Sequence, residues 1–324
     1  MKRFFKRQSP PFAVTIKLVC RSGAICLFLM ILLSLKPVCS EAEQDEDNPK
    51  LFRSGFLQSV FSNIDPRDAK AVMEVHGKKI VGELKMNIID KVVMFTSLKS
   101  MMDAVRKGEL ELVSIPSIEY LRVRETVPLI PAFVGTNNHG QGNNFLLITR
   151  KDSGIKSFSD LTGKSLLLPP VAIYEPSHLW LEVLLLKEGN MRRDTYFREV
   201  KESPKISKAI MAIFFKQADA AIVTRSGLEI SQQLNPQVGT QLNVLAESPN
   251  LSDFVVCMNP HTSEGFRKKL SGALTRLNDS KSGKQLYVIF QTNGITPFES
   301  VYLDGLEKLQ REHKRLRSKT VARK

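Results

Sequence analysis

Between Phe158 and Thr224 the chain runs FSDLTGKSLLLPP, then PSHLWLEVLLLKEGN, then FREVKESPKISKAIMAIFFKQADAAIVT. The first piece is a polar turn entering a strand, and the second is a long apolar helix. The third holds a strand, a helix and a strand with a polar tip. Upstream the same grammar recurs. Leu51–Phe61 reads as a strand, and Asp65-Pro66 opens a helix, with Asp65 at the N-cap and Pro66 at the first helical position. Val92–Thr96 reads as a strand, Ser97–Lys107 as a short helix ending at Gly108, and Glu111–Ile115 as the next strand, with Pro116-Ser117 starting another helix. Strands alternating with helices, without hairpin signals between them, predict an α/β fold with a parallel sheet and crossover helices.

A chain of 324 residues with 42% hydrophobic residues holds two modest cores. The formal charge of +14 suggests a nucleic-acid partner until it is dissected. Residues 1–40 carry seven basic side chains and no acidic one, and residues 312–324 carry six against a single Glu. The body is left near +2, so the basicity is terminal and no nucleic-acid partner is expected. Residues 1–40 have an export-signal layout. A basic start leads to the apolar run Ala24–Leu35, and Val38 and Ser40 suit the positions before a cleavage site. That run is shorter than the ~20 residues of a spanning helix, and an uncleaved anchor is the alternative. Cys20, Cys26 and Cys39 go with the signal, which leaves Cys257 alone and no internal disulfide. Glu41–Asn48 is acidic and apolar-poor, as a disordered leader is.

Three pieces in order carry a family resemblance: Ser-Asp-Leu-Thr-Gly-Lys before a strand, a helix opening after it at Glu175-Pro176-Ser177-His178, and Ala-Asp-Ala around Asp219 on a later strand. The chain resembles the periplasmic solute-binding proteins of the phosphate, phosphite and phosphonate type. The resemblance implies the two-lobed type II periplasmic-binding fold, with a central sheet in each lobe and a hinge between them. Residues 51–135 with 253–316 then form the first lobe and 145–250 the second, followed by a basic tail over 317–324. Val127–Val134 and Phe145–Thr149 are the crossing segments, Asp253–Met258 returns to the first lobe, and the helix from Phe298 to about Leu316 completes it.

In such sheets ligands sit beyond the carboxyl ends of the strands, where helix N-termini present bare N–H groups. That rule selects Gln58 and Ser59, Thr96 and Ser97, and Ser117 with Tyr120 one turn on. In the second half it selects Glu175, Ser177 and His178, then Asp219 and Thr224 to Ser226. The resemblance also points to Asp219, at a position where the family has an Asp on a strand facing the cleft that contacts ligand or anchors the adjacent loop. Where the family has small hydroxyl residues and glycine around an oxyanion, this chain has one hydroxyl, Ser177, beside Glu175, Pro176 and His178. A carboxylate beside an anion site is repulsive unless turned away or protonated, and Glu175 is equally suited to an amine. Ser177 otherwise simply caps the helix. Tyr120 and Trp180 sit at helical spacings that suit core packing as well as ligand contact, and for Trp180 the core is favoured.

No enzyme is expected. The five histidines are scattered, no Cys pair or His-Glu-x-x-His is present, and Gly163-Lys164-Ser165 precedes a strand rather than following one. No metal or cofactor is implied. The function expected from the resemblance is an exported, monomeric binding protein for a small oxyanion. Its partner would be an inner-membrane ABC permease or a sensor. The alternative is a membrane-tethered sensing or scaffold module of the same fold with a different small ligand. The helix ending in the basic tail is either packed with a solvated end or in contact with anionic headgroups.

Overall fold

A computed structural model describes residues 50–61, 65–85, 88–189, 192–290 and 292–321. The expected export signal and the acidic leader lie outside these residues. The first lobe begins with β1 (Leu51–Leu57), α1 (Pro66–Leu84), β2 (Ile89–Phe95), α2 (Leu98–Arg106), β3 (Leu112–Pro116), α3 (Ser117–Val123) and β4 (Ile130–Thr136). β1 ends earlier than its apolar run, because Gln58–Phe61 turns into a single 3-10 turn. Asp65 caps α1 as expected, its carboxylate accepting from the Arg67 N–H at 2.8 Å.

The second lobe comprises β5 (Phe145–Arg150), β6 (Ser165–Leu168), α4 (Val171–Lys187), α5 (Arg193–Tyr196), β7 (Glu199–Glu202), α6 (Ile206–Phe214), β8 (Ala220–Thr224), α7 (Arg225–Leu234), α8 (Pro236–Gln241) and β9 (Leu242–Glu247). The chain then returns through β10 (Phe254–Met258), α9 (Glu264–Leu277), α10 (Lys281–Ile289) and β11 (Gly294–Pro297), and ends in α11 (Asp304–Val321).

The two sheets have the orders β11-β4-β10-β3-β1-β2 and β7-β6-β8-β5-β9. Parallel pairing, as the sequence predicts, holds for β1–β3 and for β6–β8. The sheets as wholes are mixed, since β10 runs antiparallel to β3 and β4, and β5 antiparallel to β8. The reason is the double crossing. The chain leaves the first lobe at the end of β4, enters the second as β5, and comes back as β10, and a strand that starts at the boundary must run away from it. The same geometry points the carboxyl ends of β1, β2, β3, β6 and β8 at the boundary.

The two crossings are tied together. Asn143 and Leu251 exchange backbone hydrogen bonds of 2.8 and 2.9 Å. The Asn143 amide also donates to the Asp253 carboxylate at 2.7 Å. Gly142, at φ +125°, passes so close to Leu251 that a Cβ would lie 2.2 Å from its carbonyl oxygen. Only glycine fits both that conformation and that approach.

Each sheet is covered on both faces. In the first lobe, Phe52 and Ile80 pack with Phe266, Leu270 and Leu274 of α9 on one face, while Met101, Ile115 and Tyr120 pack on the other. In the second lobe, Ile210, Ile213, Val223 and Leu228 cover one face. Trp180, Leu181 and Leu185 of α4 cover the other, as the helical spacing favours. Leu306 and Leu309 of α11 bury themselves in this last cluster. The terminal helix therefore packs on the second lobe rather than completing the first, and it continues through the expected tail as far as Val321. Its leucines at three-residue spacing match the leucine-rich face of α4, and burying each contributes about 1.5–3 kcal/mol. Among the described residues no helix is long and apolar enough to cross a membrane.

Candidate functional site

The first-lobe residues selected from the sequence are placed in three different settings. Thr96 and Ser97 are exposed at the end of β2, and the Ser97 hydroxyl caps α2 by accepting from the Ser100 N–H. Gln58 is half-buried in the 3-10 turn, which packs against α4 across the boundary. Ser59 belongs to the same turn. Ser117 is fully buried, its hydroxyl 2.8 Å from that of Ser252 and its N–H donating to the Asp253 carbonyl. It thus joins the start of α3 to the returning crossing segment. Tyr120 is 7% exposed and packs edge-to-face with Phe298, so the structure uses it as core.

The start of α4 departs from a simple capped helix. Tyr174 leaves helical geometry at φ −118° and ψ 38°, and Pro176 sits just beyond it. Proline lacks the N–H that would have bonded back one turn, so a kink costs little there. The Ser177 hydroxyl donates to the Tyr174 carbonyl at 2.8 Å and is fully buried, so its proton is committed inside the kink. His178 is buried as well. Its Nε2 lies 2.7 Å from the Pro169 carbonyl oxygen and therefore carries the proton, which leaves Nδ1 to accept from the Arg193 guanidinium at 3.3 Å. Burial holds its pKa below the ordinary histidine value. His178 is neutral, and it positions Arg193 rather than supplying charge. Glu175 turns outward to the Arg122 guanidinium of α3, which also pairs with Glu119 at 3.0 Å.

Asp219 lies at the opposite end of its sheet. It precedes β8, whose far end, Thr224, pairs with Phe145 at the boundary. Its carboxylate accepts from both the N–H and the hydroxyl of Ser165, each at 2.8 Å, and lies 3.5 Å from Arg198. Burial pushes the Asp219 pKa up, but the Ser165 hydrogen bonds and Arg198 outweigh it and hold the group below its ordinary value. The structure gives this carboxylate the loop-anchoring role, fixing the first residue of β6, and not the cleft-facing one.

Of the selected residues, Glu175 and His178 share a cavity of about 590 Å³ between α3 of the first lobe and α4, α5 and α11 of the second. Three cations line it: Arg122, Arg193 and Lys314. Arg193 and Lys314 have no carboxylate partner among the described residues, whereas Glu182 is paired with His313 at 2.8 Å. Sequence reasoning passed over all three cations. Lys314 stands inside a basic run that reads as a solvated tail, and Arg193 follows a second arginine in a stretch to which the sequence reading assigns no element. Only the packing of α11 on α4 brings them together. The cavity can accept an anion of several heavy atoms without burying it against carbon alone. Among the described residues no group of His, Cys, Asp and Glu is arranged to hold a metal ion.

A family model described as the periplasmic substrate-binding protein of phosphonate ABC transporters matches residues 60–302, most of the chain. This chain belongs to that family. Members of this periplasmic substrate-binding family are components of transporters, not enzymes. The search of curated proteins returned no match. Solved structures share the fold at low identity. XAC2383 from Xanthomonas citri, bound to ATP, is 14% identical with a TM-score of 0.58 over 83% of this chain and 99% of its own. PhnD1 from Prochlorococcus marinus, in complex with methylphosphonate, is 17% identical with a TM-score of 0.55 over 82% and 98%. A binding-protein component of an ABC phosphonate transporter from Pseudomonas aeruginosa is 14% identical with a TM-score of 0.56 over 84% and 89%. All are two-lobed, as this phosphonate-family chain is.

Proposed function

We propose that this protein is the exported, monomeric solute-binding component of an ABC-type uptake system and that its ligand is a small oxyanion. A phosphonate, phosphite or phosphate would be held at the lobe boundary. The observation that carries the ligand class is the pair of cations without carboxylate partners, Arg193 and Lys314, facing one cavity with Arg122. A guanidinium beside an oxyanion gives charge-assisted, paired hydrogen bonds, and a low-dielectric wall strengthens them. The methylphosphonate bound by PhnD1 is of this chemical class. Ligand entry would separate the lobes at the paired crossings, and closure would sequester the anion. The closed protein would then be presented to a membrane permease.

The test is thermal unfolding of the chain from Glu41 onward against methylphosphonate, phosphite, phosphate, sulfate and several amino acids. A ligand at 100 times its dissociation constant adds about 2.7 kcal/mol of stability. A raised midpoint with one phosphorus oxyanion, lost in the Arg193→Ala, Lys314→Ala double variant, supports the reading. A midpoint unmoved by every oxyanion overturns it.

A further inference from the structure

The first lobe holds a second cavity, remote from the cations of the lobe boundary. It lies between one face of the sheet, at β1, β3 and β10, and the helices α1, α9 and α10 that cover it. Its volume is about 60 Å³. One water molecule needs roughly 10–15 Å³ by the same measure, so the space suits a molecule of about four to six heavy atoms. The walls are almost wholly carbon. Phe290 stands 6.1 Å from Phe56 and 5.4 Å from Phe254, ring centre to ring centre, and Met73 and Tyr287 close other sides.

Into this wall α1 sets one histidine. His76 is 3% exposed, and its Nδ1 has no hydrogen-bond partner. Buried polar atoms in folded proteins are nearly always paired, so an unpaired imidazole nitrogen at a cavity marks a place for a partner. Burial, helped by Lys79, holds the ring's pKa below the ordinary histidine value, so it is neutral and has one donor and one acceptor. The hydroxyls of Ser54 and Ser114, both buried, line the cavity too, while the Tyr287 hydroxyl is already committed to Asn278 at 2.8 Å. A charged ligand is excluded, since no charged side chain lines the cavity. Water filling the whole space is poorly served, because each ordered buried water needs two to four polar partners and the polar side chains here are too few for the roughly four to six waters that would fit.

We infer that the first-lobe cavity is a binding site for a small neutral molecule with an apolar body of three to five carbons and one hydroxyl, which hydrogen-bonds to His76. The apolar body takes the place between Phe56, Phe254 and Phe290, and Met73, with its three rotatable bonds, adjusts the fit. The hydroxyl acts as donor or acceptor according to the His76 tautomer. The inference is independent of the ligand assigned to the lobe boundary.

The experiment is a titration of the full chain with 1-butanol, following the Met73 methyl and the His76 ring nitrogens by NMR, with dissolved xenon as an apolar probe. Saturable butanol shifts at both residues are expected. His76→Leu should weaken butanol binding roughly three- to tenfold, the worth of one net hydrogen bond, while xenon still binds. Leu286 also lines the cavity, and Leu286→Phe serves as the filling variant. It should abolish both probes while its amide spectrum remains that of a folded chain. Butanol shifts that rise linearly without saturation overturn the inference. So does butanol affinity that His76→Leu leaves unchanged.

Discussion

Arg122 of α3 and Glu175 of α4 form an ion pair that joins the two lobes at the mouth of the cation-lined cavity. The carboxylate that sits awkwardly in the proposed anion site thereby has a cation of its own. It stands where a ligand's oxyanion would meet Arg122. With side chains 47% and 34% exposed, the pair contributes about 0–1 kcal/mol to stability, so a ligand can displace it. Glu175→Gln should therefore leave the unfolding midpoint nearly unchanged and tighten methylphosphonate binding several-fold by calorimetry. Unchanged or weaker binding would show that Glu175 does not compete with the ligand.

Asp219 should be a stability residue. Asp219→Ala leaves the Ser165 N–H and hydroxyl without their acceptor and should cost about 1–3 kcal/mol in denaturant unfolding. Ligand affinity should not change, because the carboxylate is at the far end of β8 from the boundary. Its folded pKa is lowered, so its contribution is present above the unfolded value near 3.8 and is lost as the pH falls through the folded one. A ligand affinity that falls with Asp219→Ala in a folded variant would return this residue to the site.

Asp253 has the opposite sign. Burial pushes its pKa up to about 6, against an opposing hydrogen bond from Asn143. A raised carboxyl pKa stabilises fully below the unfolded value near 3.8, and that contribution is lost as the pH rises through about 6. Asp253→Asn should raise stability at pH 8 by roughly 1–3 kcal/mol and flatten the dependence between pH 4 and 7. A pH profile of the unfolding midpoint identical to that of the parent would exclude Asp253 as its source.

Gly142→Ala should destabilise by more than an ordinary surface change, by roughly 2–4 kcal/mol. It places a Cβ against the Leu251 carbonyl at a left-handed backbone position. The crossing bridge should open first, seen as faster amide exchange at Asn143 and Leu251. Protection at those two amides equal to that of the parent would show that the crossings tolerate the change.

The sequence by itself determined the alternation of elements, the capped entry to α1 and the terminal location of the excess charge. These follow from local chemistry: apolar period, proline and cap residues, and a simple count of charges. It also selected the strand ends that meet at the boundary, because strand direction decides which ends face it. What each side chain does there was not legible. Ser97 caps α2, Ser117 ties a crossing, Ser177 bonds back into a kink and Tyr120 fills a core. A hydroxyl or ring at a helix start has the same sequence signature in every one of those roles. The cations of the cavity were hidden for a different reason. Arg122, Arg193 and Lys314 come from three segments, and only the leucine face of α11, docked on α4 in the second lobe, puts Lys314 beside the others. Local propensity is written in short windows, whereas a binding site is made by which buried surfaces meet, and that is decided by packing.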